Sequence, residues 1–156
     1  YALGLTSHAN EPLHLKVEVS QHKQISIIRK TPVLLFGRSF VAAHFSLETM
    51  MAGKMLACLE RNFQMGEGAA IKGRDFYDLL WFMQQKIMPL EDKLANDGCQ
   101  SYTVQPAMEL LGEKIAEMKL SDLAEDLLPL FEQRSFIEAW LEGFKENYRE
   151  YVKSYM

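Results

Sequence analysis

Cysteine is scarce in this chain. Cys58 and Cys99 are the only two, and they form no C-x-x-C pair. The pair argues against structural disulfides and against a thiolate zinc site, and leads us to expect a reduced, intracellular protein in the cytoplasm. Long apolar runs are also missing. None approaches the roughly 18 residues of a membrane span, and the longest is broken by Pro32 and Gly37. No basic and apolar leader opens the chain, so secretion gains no support. The four histidines (His8, His14, His22 and His44) lack metal-ligand spacing, and His44 reads as a packed or edge-strand residue. Neither a G-x-S-x-G element nor a Cys/His pair points to a hydrolase. The Gly66-Glu67-Gly68…Lys72-Gly73 stretch lacks Walker spacing and follows a helical pattern, so it reads as an interhelical loop.

The net charge of −4 hides an asymmetry. Residues 1–74 hold nine Lys/Arg against five Asp/Glu, a balance of +4, and residues 75–156 hold eight against sixteen, a balance of −8. A basic half can face phosphates while an acidic half stays solvated; acidic exposed helix faces account for the same numbers.

The first 45 residues carry β-type patterns. Tyr1–Leu5 is apolar, and Leu13–Ser20 alternates, with Leu13, Leu15, Val17 and Val19 on one face and Glu18 on the other. Gln24–Arg29, Thr31–Phe36 and Phe40–Phe45 add further segments, with Gly37-Arg38 as a turn. At Ser46 the period changes. Ser46 suits a helix N-cap, and Leu47, Met51, Met55 and Leu59 form a stripe running to about Phe63. A second helix is expected from about Lys72 to Lys86, with Phe76, Leu79, Leu80, Phe82 and Met83 inward and Trp81 and Trp140 in the core. Helical patterns follow over Leu90–Asp97, closed by Gly98, then Pro106–Lys119, Ser121–Phe131 with a break at Pro129, and Ser135–Tyr155. The expected architecture is α+β, with a β-rich part over 1–45 and a helical domain over 46–156.

Lys54 and Arg61 lie seven residues apart, which places both cations on one helix face beside the apolar stripe. They need anionic partners. Asp75 and Asp78 on the next helix can serve as an ion-pair network pinning the helices, with Arg74 and Asp78 also at pairing distance. Alternatively the cations grip a phosphate, with Asp75 orienting them. Glu18 reads either as an exposed strand carboxylate or as a Mg²⁺ ligand if others converge on it.

The run from Leu47 through Lys54, Ala57 and Arg61, followed by Lys72-Gly73-Arg74-Asp75-Phe76-Tyr77-Asp78-Leu79, resembles the AbiEii/AbiGii toxin family. The strand around Glu18 resembles the family's strand bearing its last metal-binding carboxylate. The resemblance implies a polymerase-β-like nucleotidyltransferase fold followed by a helical bundle. It also implies a bacterial abortive-infection toxin with a separately encoded antitoxin. The reaction it implies moves a nucleoside monophosphate from a nucleoside triphosphate, with Mg²⁺ as cofactor; an RNA end, a protein hydroxyl and a small molecule are all compatible acceptors, since no motif encodes the choice. Lys54 and Asp75 would then be catalytic, Lys54, Arg61 and Arg74 would bind phosphate, Glu18 would bind metal, and Tyr77 and Asp78 would complete the motif. The family's Gly-Ser element and D-x-D pair are missing, since no Asp precedes Asp75. The chain, which starts at Tyr1 rather than Met, therefore reads as a C-terminal portion or truncated relative, inactive alone. A helical interaction module without catalysis is the alternative.

Overall fold

A computed structural model describes Val17, residues 24–61 and residues 72–156. Among these residues two antiparallel strands, β1 (Ile28–Leu35) and β2 (Arg38–Phe45), precede six helices: α1 (Leu47–Glu60), α2 (Gly73–Gln84), α3 (Glu91–Asn96), α4 (Val104–Glu117), α5 (Leu120–Leu127) and α6 (Arg134–Val152). A 3-10 turn, Leu128–Leu130, follows α5 and contains Pro129. The α+β class is as expected. The expected segments Tyr1–Leu5 and Leu13–Ser20 lie outside the described residues, Val17 excepted.

Two details of the hairpin differ from the sequence reading. Arg29 and Thr31 belong to one strand with Pro32 inside it, paired to Val41. Among the described residues each strand pairs only with the other, and a strand unpaired on one side tolerates a residue without a backbone N–H. The turn is Phe36-Gly37, not Gly37-Arg38. Both turn residues have positive φ (50° and 72°), the mirror-image turn that matches the twist of a tight hairpin. His44 is an exposed edge-strand residue, hydrogen-bonded to the Thr31 hydroxyl across the strands at 2.9 Å.

Ser46 caps α1, its Oγ accepting from the Thr49 amide at 3.3 Å. That cap also ties the hairpin down. The Ser46 amide donates to Ile27 O (2.8 Å), and the Ile27 amide donates to Thr49 Oγ1 (3.0 Å). Behind it, the Ile25 amide reaches Asp97, which also holds the buried Lys93.

The helices enclose one core. Met51 and Met55 of α1 are fully buried, with Leu79 of α2, Leu111 of α4, Leu123 of α5 and Phe144 of α6. Leu47, placed on the same stripe by sequence, is exposed. A spacing of four residues advances 40° beyond a full turn, so the far end of the stripe rotates out of the core. Trp81 is a second correction: it is 45% exposed, not core. The neighbouring Phe76, Leu79, Leu80, Phe82 and Met83 occupy the inward arc of α2, leaving Trp81 on the outer side. Trp140 is half-buried.

Gly98 follows α3 as expected, but for a different reason. Its φ is not left-handed. A Cβ there would stand 2.7 Å from Glu60 Oε1 and 2.8 Å from Gln100 O. Gly98→Ala is therefore expected to cost about 1–3 kcal/mol by forced displacement of these groups. A urea midpoint equal to that of the parent chain would contradict this.

Buried acids set an alkaline limit. Burial pushes the Cys58 thiol and the Tyr148 phenol well up, and the Tyr155 phenol to about 12. Unfolding restores ordinary values of 9.0 for the thiol and 10.0 for the phenols, so the unfolded chain loses protons first. These groups stabilise the fold fully below their unfolded values, and that contribution is lost as pH rises through the folded ones. The melting temperature should be flat from about pH 7 to 8 and fall steadily above about pH 9. An equal value at pH 7.5 and 10.5, followed by circular dichroism, would contradict it.

Candidate phosphate-handling site

The site lies where α1 and α2 pack together. Asp75 falls in the first turn of α2, where the helix dipole favours a carboxylate, and it is buried at 5% exposure. The Asp126 carboxylate of α5 accepts the Arg74 amide at 3.1 Å, supplying an N-terminal partner that Lys72 does not. Gly73 lets α5 approach, since an added Cβ would meet Leu123 O and Leu127 Cγ at 3.1 Å.

Lys54 donates to Asp75 Oδ1 at 2.9 Å and lies 2.7 Å from Asp78 Oδ2. Arg61 Nη1 donates to Asp75 Oδ2. One buried carboxylate thus holds two cations that stay partly in solvent, with side chains 29% and 49% exposed. Burial opposes the Lys54 charge, but hydrogen bonds to Asp78 and Asp75 outweigh it and raise its pKa above the ordinary lysine value. Spacing alone had also placed Arg74 at pairing distance from Asp78. Asp78 goes to Lys54 instead, and among the described residues the exposed Arg74 side chain makes no ion pair. Tyr77 turns to the other side of α2, its ring 5.1 Å from Phe131 and 5.2 Å from Trp140, where it joins α2 to α6.

The structure brings Lys54, Arg61, Asp75 and Asp78 together and leaves Arg74 on the adjoining surface. Glu18 lies outside the described residues. Lys114 of α4 was missed by sequence reasoning. Its ammonium donates to the carbonyls of Cys58 (2.6 Å), Leu59 (3.0 Å) and Arg61 (2.9 Å), capping the end of α1 and fixing the backbone that carries Arg61. Burial lowers its pKa.

Charge and donor capacity indicate what the cluster can do. Lys54 and Arg61 balance Asp75 and Asp78, and Arg74 stands beside them with Asp126 at its amide, so donor capacity rather than surplus charge is what the cluster offers. An ammonium has three donors and a guanidinium five, so Lys54 and Arg61 keep outward N–H groups after meeting Asp75. That suits an anion with several oxygens. Magnesium finds no matching donor set here: Asp75 and Asp78 are committed to cations, and among the described residues no group of three His, Cys, Asp or Glu could hold a metal ion. A groove of about 280 Å³ lies elsewhere, between α4 and α6, lined by Met108, Ile115, Tyr148 and Met156 among others, and includes none of these residues.

Among the described residues no helix is long and apolar enough to cross a membrane. The chain matches none of the curated proteins and none of the solved structures compared with it. A family model does match: the nucleotidyl transferase AbiEii toxin of type IV toxin–antitoxin systems, over residues 3–156. With nearly its whole length matched, the chain belongs to the AbiEii nucleotidyl transferase toxin family, whose type IV systems pair the toxin with a cognate antitoxin.

Proposed function

We propose that the α1–α2 cluster is the triphosphate-gripping half of a nucleotidyl-transfer site. In that reaction the acceptor hydroxyl oxygen bonds to the α-phosphorus while the bond from that phosphorus to the β-phosphate oxygen breaks. Pyrophosphate leaves, and the hydroxyl proton passes to solvent. Lys54 and Arg61 would hold phosphate oxygens and balance the charge on the departing pyrophosphate. Asp75 would fix both cations in place, and Arg74 would add a cation from the adjoining surface. The observation carrying this reading is Asp75 itself, a buried carboxylate presenting two cations to solvent on one side of a helix pair.

Magnesium belongs to the same proposal. It would need Glu18 together with carboxylates beyond Asp75 and Asp78. With no Asp before Asp75, we expect this chain by itself to transfer no nucleotide, whether the acceptor is an RNA end, a protein hydroxyl or a small molecule. The setting proposed is the bacterial cytoplasm.

Calorimetric titration with magnesium ATP tests the half-site. Lys54→Ala and Arg61→Ala should each weaken binding about tenfold or more, the loss expected for a hydrogen bond between charged groups. Unchanged binding in both variants would remove them from the phosphate role and favour a helical interaction module.

A further inference from the structure

The corrected position of Trp81 bears on what the other end of the cluster contacts. Lys54 reaches both Asp75 and Asp78, whereas Arg61, farther along α1, reaches Asp75. Moving toward the end of α1 therefore means moving toward the start of α2, so the two helices run in opposite senses across the site. One turn before Lys54, on the same face of α1, stands Met50; one turn beyond Asp78 on α2 stands Trp81. Both are at the same end of the α1–α2 junction, and both are exposed, at 44% and 45%. The junction is thus graded. Cations occupy one end over about two helical turns, roughly 10 Å, and a thioether and an indole occupy the other.

Such a gradient matches a molecule that is anionic at one end and flat and aromatic at the other. The Trp81 indole packs edge-on against Phe82, with centroids 5.1 Å apart and planes at 78°. That contact steadies the ring without covering it. Aromatic side chains stack with any nucleobase, because every base presents a π-face. Methionine adapts to irregular flat surfaces and favours sulfur–aromatic contact. Arg74 and Asp78 border Trp81 on the outer side of α2.

We propose that Trp81, with Met50, is the stacking platform for the base of the nucleotide whose phosphates Lys54 and Arg61 hold. This rests on the phosphate reading of Lys54 and Arg61, and goes further by naming where the base lies. It makes base recognition at this site permissive, since stacking carries no hydrogen-bond readout.

The test compares two probes, magnesium ATP and magnesium tripolyphosphate, which shares the phosphates but has no base. Titration calorimetry is run on the parent chain, Trp81→Ala, Trp81→Phe and Lys54→Ala. We expect Trp81→Ala to lose about tenfold or more in ATP affinity, to keep its tripolyphosphate affinity, and to be largely rescued by Trp81→Phe. Quenching of fluorescence excited at 295 nm should accompany ATP binding and disappear in Trp81→Ala, which retains Trp140. ATP affinity unchanged in Trp81→Ala would overturn the platform. So would equal losses for both probes, which would mark Trp81 as structural. Tripolyphosphate affinity unchanged in Lys54→Ala would instead overturn the phosphate reading, a result independent of Trp81.

Discussion

Replacing Asp75 with alanine is expected to lower the melting temperature by about 5–10 °C. Removing one partner of a buried ion pair typically costs 3–5 kcal/mol because the remaining charge stays desolvated. Here the remaining charges are not trapped. The Lys54 and Arg61 side chains are 29% and 49% exposed and can recover water, which brings the expected loss to about 2–3 kcal/mol. In a domain of this size each kcal/mol corresponds to about 2–4 °C. Asp78 provides the internal comparison. It faces Lys54 at 2.7 Å, but its side chain is 45% exposed, so Asp78→Ala should cost under about 1 kcal/mol. Thermal unfolding followed by circular dichroism measures both. An Asp75→Ala protein melting within about 1 °C of the parent would mean that the carboxylate does not pin the helices.

Phe144→Ala should have the largest effect on stability. Its ring is fully buried, edge-on to Phe76 with centroids 6.3 Å apart at 88°, and 5.0 Å from Trp140. Large-to-small changes at such aromatic positions cost about 3–5 kcal/mol, through lost transfer free energy plus the residual cavity. Phe76 follows Asp75 directly on α2, so the cavity would open beneath the helix that carries the site. With a urea slope of about 1–3 kcal/mol/M, the midpoint should fall by about 1 M or more with the slope retained. A loss under about 1 kcal/mol would mean that α6 does not hold α2 in place.

What the sequence could convey follows the range of each interaction. Ser46 and the face shared by Lys54 and Arg61 were legible because capping and helical repeat act within a few residues. The buried run from Phe76 to Met83 was legible for the same reason. Trp81 was misplaced because composition marks a residue as apolar without saying which neighbours complete the wall around it. Gly98 was assigned a conformational role, yet its constraint is steric, from the Gln100 carbonyl and from Glu60, far back in the chain. Lys114 left no local trace, since its three carbonyl partners lie more than 50 residues away. At the site, spacing supplied the cations and carboxylates but not their pairing. Only the packing of α1 on α2 sends Asp78 to Lys54 and leaves the Arg74 side chain on the surface.

Both a structural pin and a phosphate grip use Lys54 and Arg61, and they separate in one measurement: the melting temperature with and without millimolar magnesium tripolyphosphate, for the parent chain and for Lys54→Ala/Arg61→Ala. A ligand that binds only the folded state raises its stability with the logarithm of one plus the ratio of free ligand to Kd, about 2.7 kcal/mol at a hundredfold excess over Kd. The phosphate account predicts a rise of about 5 °C or more in the parent and none in the double variant. An equal rise in both, or none in either, would contradict it.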